Sequence, residues 1–349
     1  MATTSQIPPH TVNGSPGDPT TSIEIQGWVI TSTSLPISNA PEIDEMQEML
    51  HGLPIPEMPF GNNSIALKHD ASGWEYSFNA LGALSEVKLG KLGDGDGGVK
   101  VGYAKEWMQS RLEPNSDTPM PETSPTKEYD WTYTTTYPGR ETKSSSPHLK
   151  WTPADPENPS HCIPLAQLSK RDPILYYAEI MLYEDELHDN GSSRLVIRLR
   201  VMPTCLFILS RLTVRVDGVV FRTFDTRIYH SFQPDPHSTS GTLHVVKECS
   251  GWEAPYDVVK RVSELAYFLW RTDSRGHTLF QHLPNPNDLT PLTDANFIAQ
   301  VLTQLPKSVS QNPRAKSGTG WRGLGTRVEV CHLNPKPVVD GPQVAVDGA

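Results

Sequence analysis

Apolar and polar positions along this 349-residue chain alternate every second residue more often than they recur at helical spacing. Ile23 and Ile25 open one such stretch; Ile65, Leu67 and His69 share a face in another, and Trp74, Tyr76 and Phe78 share a face after a turn at Asp70–Gly73. A period of two sends successive side chains to opposite sides of a strand, so these segments read as strands and the last two as a hairpin. From Ile174 the pattern is densest. Ile180–Leu187, Arg194–Met202, Leu206–Val216 and Val219–His230 predict four successive strands joined by short connections, an antiparallel meander. A continuous helix over Ile174–His188 is the competing local reading, and Asp172-Pro173 fits the start of a short helical turn. Helical spacing is rarer: Pro41–His51 puts Ile43, Met46 and Leu50 on one stripe with Gly52 as a stop, and Tyr103–Arg111 and Tyr256–Arg271 are two further candidates. The expected fold class is α+β, an antiparallel sheet meander packed as two sheets with a few flanking helices.

Composition locates this folded mass. The chain has 32 prolines, each of which removes a ladder donor, and they crowd the first twenty residues, Pro114–Pro173 and the tail from Pro306, while Ile174–His230 contains only Pro203. Residues 1–21 and 306–349, rich in Ser, Thr, Pro and Gly, are expected to be disordered. Residues 22–305 are expected to form a single domain with flexible loops near 90–98, 112–127 and 140–162. A net charge of −10 repels phosphates and anionic lipid, which argues against nucleic-acid and membrane partners. No apolar run approaches the ~18 residues of a membrane span, and the N-terminus lacks the order of a signal peptide, so a soluble intracellular protein is expected. Cys162 and Cys205, the closest pair of the four cysteines, are 43 positions apart, which excludes CxxC arrangements and points to free thiols.

Charge is segregated within the meander. Between Arg194 and Arg227 lie seven arginines, no lysine and two acids, Asp217 and Asp225. If Asp217-Gly218 is a two-residue turn, Arg211, Thr213, Arg215, Val220, Arg222 and Phe224 share a face. Like charges crowded on a sheet are destabilising, so this face needs acids. Glu184, Glu186 and Asp185 on the preceding strand are an internal source for Arg198 and Arg200. The alternative is an acidic segment of a partner, held by the planar guanidinium fork.

Catalytic patterns are weak. Glu184–Gly191 gathers carboxylates and His188, but strand alternation splits them between two faces. Gly93–Gly98 lacks the Lys-Ser/Thr of a phosphate loop, and twelve positions from Asp94 reach Lys105 where a calcium loop needs Glu. GxSxG and HExxH are missing. No cofactor or metal is implied.

Several segments together carry a resemblance. Leu53–Asn63 (LPIPEMPFGNN), Ser77–Leu81 (SFNAL), Glu106–Arg111 (EWMQSR), Tyr129–Thr135 (YDWTYTT), Glu184–Gly191 (EDELHDNG), Ile197–Pro203 (IRLRVMP), Arg215–Arg222 (RVDGVVFR) and Asp225–His230 (DTRIYH) closely resemble the TOR signalling pathway regulator-like family, which includes animal TIPRL and fungal Tip proteins. The resemblance runs from about Ile23 to Val262. It implies a non-enzymatic regulator that binds catalytic subunits of type 2A-like protein phosphatases, with a link to TOR signalling through the Tap/alpha-four protein. It also implies an antiparallel sheet fold whose cleft accepts an extended acidic phosphatase tail, and a cytoplasmic location with the nucleus as a second one. The residues it marks for partner binding are Glu57, Phe60 and Asn62; Asp130, Trp131 and Tyr133; and Arg215, Arg222, Asp225, Arg227 and Tyr229, beside Arg198 and Arg200 of the arginine face. Each has a plainer reading: Trp131 and Tyr133 as core positions of a strand, Phe60-Gly61 as a turn, Asp225 as an internal partner of Arg227. Two rival classes are a scaffold acting mainly through the Tap/alpha-four protein and a metal-dependent phosphohydrolase using Asp185, His188, Asp225 and His230.

Overall fold

A computed structural model describes residues 7–87, 132–142, 145, 149–169, 172–233, 243–256, 259–260, 290–304 and 326–334. Two antiparallel sheets carry the chain. The smaller has six strands in the order β1-β2-β3-β5-β6-β7: β1 (His10–Asn13), β2 (Thr20–Ile25), β3 (Trp28–Thr33), β5 (Ser64–His69), β6 (Trp74–Asn79) and β7 (Arg140–Glu141). The larger has eight, ordered β4-β9-β10-β11-β12-β13-β14-β8: β4 (Met58–Pro59), β8 (Trp151–Pro153), β9 (Tyr176–Asp185), β10 (Gly191–Val201), β11 (Cys205–Val216), β12 (Val220–Ser231), β13 (His244–Pro255) and β14 (Arg327–His332). Helices are few: α1 (Ala40–Met49), α2 (Ala80–Leu84), α3 (Leu165–Leu168) and α4 (Ala295–Gln304), with 3-10 turns at Pro159–His161 and Thr290–Thr293. The fold is therefore α+β and dominated by sheet, as the alternation predicts. The helical alternative over Ile174–His188 is not adopted, because β9 pairs with β10 over most of its length, and Asp172-Pro173 starts no helical turn.

The alternation explains the core. Ile23, Ile30, Ile65, Leu67, Trp74 and Phe78 from the small sheet meet Ile180, Leu195, Ile197, Leu199, Ile208 and Val214 from the large one, all at 2% exposure or less. At about 25 cal/mol per Å2, full burial of each such side chain contributes about 1.5–3 kcal/mol. α1 starts on a capping box in which the Asn39 side chain accepts from Glu42 N and the Glu42 carboxylate accepts from Asn39 N.

Three expectations about order are corrected. His10–Asn13, within the stretch expected to be disordered, pairs with β2, and Arg327–His332, within the expected tail, pairs with both β13 and β8. β7, β8 and the turn at Pro159–His161 fall inside the loop expected at 140–162. The physical reason is that a strand at or near a sheet edge needs few apolar residues of its own when the backbone of its neighbour supplies the ladder. The helix at Tyr103–Arg111, most of the one at Tyr256–Arg271, and the loops at 90–98 and 112–127 lie outside the described residues.

His230 tests the inner face. Its ring sits 4.7 Å from Trp28, its Nδ1 lies 2.7 Å from the His244 carbonyl, and burial pushes its pKa down to about 3. The unfolded chain, with a histidine pKa of about 6.5, binds the extra proton between that value and 3. The stability that neutral His230 contributes is therefore complete above pH 6.5 and falls as pH falls. Urea unfolding should show a loss of about 2 kcal/mol between pH 7 and pH 5 that His230→Gln removes. His69, on the other side of Trp28 at 5.0 Å, is also lowered by burial and adds in the same sense.

Candidate interaction face

The face of the large sheet turned away from the small one is built in rows. Pairing between strands sets Glu179, Arg198, Leu209, Arg227 and Glu248 across one row and Met181, Val196, Arg211, Asp225 and Ser250 across the next. Apolar covers flank these rows. Below, Ile163 and Leu168 pack on Met202, Cys205, Phe207 and Tyr229. Above, Leu292, Ile298, Val301 and Leu302 pack on Phe221 and Ala254. A charged trough remains between the covers.

Its ions are mostly paired. Arg211 donates from Nε and Nη2 to the two oxygens of Asp225 at 2.8 and 2.7 Å, Arg227 donates to Asp225 at 2.7 Å and to Glu248 at 2.6 Å, and Arg198 donates to Glu179 at 3.0 Å. The hydrogen bond from Arg198 holds the Glu179 carboxyl below its usual pKa. Asp225, 4% exposed at its side chain, is the fixed anchor, whereas Arg198 and Glu179 are 29% and 43% exposed. An exposed pair contributes only about 0–1 kcal/mol, so the Arg198 end can exchange partners at little cost. Arg200 stacks 5.9 Å over Phe207, and Arg194 donates to the Thr293 carbonyl; among the described residues neither has a carboxylate within ion-pair distance. Where α4 reaches the sheet, a cleft of about 220 Å3 opens between Glu179, Arg194, Arg198, Arg211, Thr213 and Asn296.

The structure sorts the expected site residues. Arg198, Arg200, Asp225 and Arg227 stand together in or beside the trough. Tyr229 is 6% exposed beneath the lower cover, and burial raises its pKa, so it supports the face rather than presenting it. Arg215 lies 2.9 Å from Asp217, yet among the described residues its Nε makes no directed hydrogen bond, and burial raises the pKa of the Asp217 carboxyl despite the nearby guanidinium; geometry and charge together describe a loose pair at the hairpin tip.

Arg222 is a correction. The connection after β11 has three residues, because Val216 pairs with Val220 and not with Val219, and Gly218 supplies the positive φ of 69° that closes it. Giving one residue of the strand to the loop shifts the register by one and turns every side chain of the following strand over. Arg222 therefore faces the core, 1% exposed, with Nε 2.6 Å from Glu253 and Nη1 donating to Thr132 and Thr134 at 3.3 and 3.1 Å. Arg211, Arg215 and Asp225 remain outside. Glu184 and Glu186 are likewise not the partners of Arg198 and Arg200: Glu184 pairs in register with Arg194, and Glu179 takes Arg198.

Glu57, Phe60 and Asn62 lie at the open edge of the same sheet, where β4 pairs with β9. Glu57 N donates to Asp185, Phe60 N donates to the Leu182 carbonyl, and Asn62 donates to Glu42. Tyr133 is buried, with a φ of 47° in an irregular segment instead of a strand, and its carbonyl accepts from Tyr183 at 2.7 Å. Asp130 and Trp131 lie outside the described residues. Arg194 and Arg211 belong to the arginine group read from the sequence but not to the residues marked there for partner binding, and Glu179 and Glu248 stand in neither set. Arg194 shares the parity of Arg198 and Arg200 and was legible; Glu248 needed β13, whose alternation Lys247 and Gly251 obscure. The four residues of the metal rival serve other ends: Asp185 accepts from Leu187 N and Glu57 N, His188 sits in the turn after β9 with a φ of 57° and its carbonyl accepting from Asn190, Asp225 holds two arginines, and His230 faces the core. Among the described residues no three His, Cys, Asp or Glu side chains gather for a metal ion. Among them, too, no helix is long and apolar enough to cross a membrane.

Fold and face together define a two-sheet α+β protein with a charged trough on its larger sheet. The chain belongs to the TIP41-like family, whose model matches residues 58–260. It is 38% identical over 248 residues to the "Type 2A phosphatase activator TIP41" of Saccharomyces cerevisiae, covering 68% of this chain and 64% of that one. It is 37% identical over 242 residues to the "TIP41-like protein" of Homo sapiens, covering 69% and 83%, and 34% identical over 290 residues to that of Dictyostelium discoideum, covering 80% and 88%.

Proposed function

We propose that this protein is a non-enzymatic regulator of type 2A protein phosphatases that acts in TOR signalling by docking on their catalytic subunit. Family membership carries the reading, through relatives whose names state activation of that phosphatase. The trough supplies a physical route. Its Arg198 end is half open, Arg200 has no carboxylate among the described residues, and an extended acidic segment laid along the row could replace Glu179 as the partner of Arg198. Charge-assisted, bidentate contacts to guanidinium groups supply selectivity for carboxylates over neutral chains. Asp225 and Arg211, locked together, hold the floor of the trough in shape.

The test is capture of purified type 2A catalytic subunit on the immobilised full chain. Arg198→Glu together with Arg200→Glu should weaken capture at least tenfold, as expected for loss of desolvated arginine contacts at about 2–5 kcal/mol each, with thermal unfolding unchanged. Failure of the wild-type chain to capture the subunit would overturn the function; capture undiminished by the double substitution would move the contact elsewhere. The same capture with the Tap/alpha-four protein in place of the phosphatase separates direct docking from a scaffold role.

A further inference from the structure

Thr213 stands on the outer face of β11, between Arg194 of β10 and Thr223 of β12. It is 6% exposed, it lines the cleft at α4, and among the described residues its hydroxyl has no hydrogen-bond partner. Buried hydroxyls are almost always satisfied, so an orphan in the wall of a cleft marks a place for a ligand atom. The neighbouring cations point the same way. Arg198 and Arg211 both donate to a single neutral oxygen, Asn296 Oδ1, at 3.4 and 2.8 Å. Arg194, on the other side, spends Nη2 on the Thr293 carbonyl at 2.7 Å. The acids nearby are already engaged: Glu179 with Arg198, Asp225 with Arg211 and Arg227, and Asp294 as the cap of α4, accepting from Asn296 N and Phe297 N at 2.7 and 3.0 Å.

We propose that this cleft binds a phosphoryl group. One oxygen takes the place of Asn296 Oδ1 between Arg198 and Arg211, a second accepts from Arg194, and a third accepts from the Thr213 hydroxyl. Donors that converge from three separate directions fit a tetrahedral oxyanion; a planar carboxylate is matched by one guanidinium fork. Displacement of Asn296 also couples occupancy to the seat of α4, since that side chain ties the first turn of the helix to the sheet. The source is either free phosphate or a phosphorylated serine or threonine side chain. The assignment stands apart from phosphatase docking, because it is read on the purified chain alone.

Inorganic phosphate titrated into the full chain and followed by its 31P linewidth should show saturable broadening in the ~millimolar range. Arg194→Ala should weaken it at least tenfold. Thr213→Val keeps the side-chain shape and deletes only the hydroxyl, so it should weaken binding several-fold while leaving the melting temperature equal or higher, since no bond within the protein is lost. A phosphoserine heptapeptide that competes at tenfold lower concentration, with its unphosphorylated form inert, assigns the site to a modified side chain; competition no better than inorganic phosphate assigns it to the free ion. Absence of saturable broadening, affinity unchanged in both variants, or a lower melting temperature for Thr213→Val would overturn the proposal.

Discussion

Arg222→Met should lower the unfolding free energy by about 3–5 kcal/mol, read as a shift of the urea midpoint at constant slope. Arg222 and Glu253 are 1% and 3% exposed at their side chains, and the 2.6 Å contact between them compensates for taking a carboxylate out of water. Removing the guanidinium takes that contact from a carboxylate buried in the core. Removing both charges should cost far less: Arg222→Met with Glu253→Leu fills the site with apolar groups of similar volume and should recover most of the loss. Thr132 and Thr134, which also accept from Arg222, keep each other at 2.6 Å. A single-variant loss below about 1 kcal/mol would mean that Glu253 finds water or another cation, and would contradict the burial described above.

Asp225→Ala is expected to be as severe, again about 3–5 kcal/mol by urea unfolding, for the reverse reason. One carboxylate at 3% exposure receives three directed bonds from two arginines, and Arg211 is itself 9% exposed. Its loss strands a buried cation. Asp225→Asn keeps the shape but offers one acceptor oxygen where there were two, so an intermediate loss separates charge from packing. Near-equality of the alanine variant with wild type would show that Glu248 alone can hold the row together.

Much of this fold is written in the chain as alternation. Ile65 and Leu67, Trp74, Tyr76 and Phe78, and Leu195, Ile197, Leu199 and Val201 each put a large apolar group on every second residue, and each lies in a strand with that face inward. What escaped has physical causes. β13 carries Lys247 on its inner face, where it is paired with Glu329 at 3.1 Å and sits 4.0 Å over the Trp151 ring, so a buried lysine masks an inward position. Thr132–Tyr137 mimics strand alternation but is held by side-chain bonds, including Thr135 to the Ala83 carbonyl, which compete with a ladder. The arginines themselves were legible as a group. Their sorting into trough and core was not, because it depends on one residue in a hairpin and on acids from strands far away in sequence.

Surface connections generally accept insertions and deletions. At Asp217–Val219 what matters is which residues the connection brings opposite one another, although Val219 itself is 47% exposed. Closing the same sequence with two residues, Val216 opposite Val219, would slide β12 one place along β11, turning Asp225 and Arg227 toward the small sheet and Ile228 and Phe224 toward solvent. Loop length here is thus as strict a determinant of the protein's exterior as any side chain upon it, and a comparison of relatives by residue identity alone would miss it.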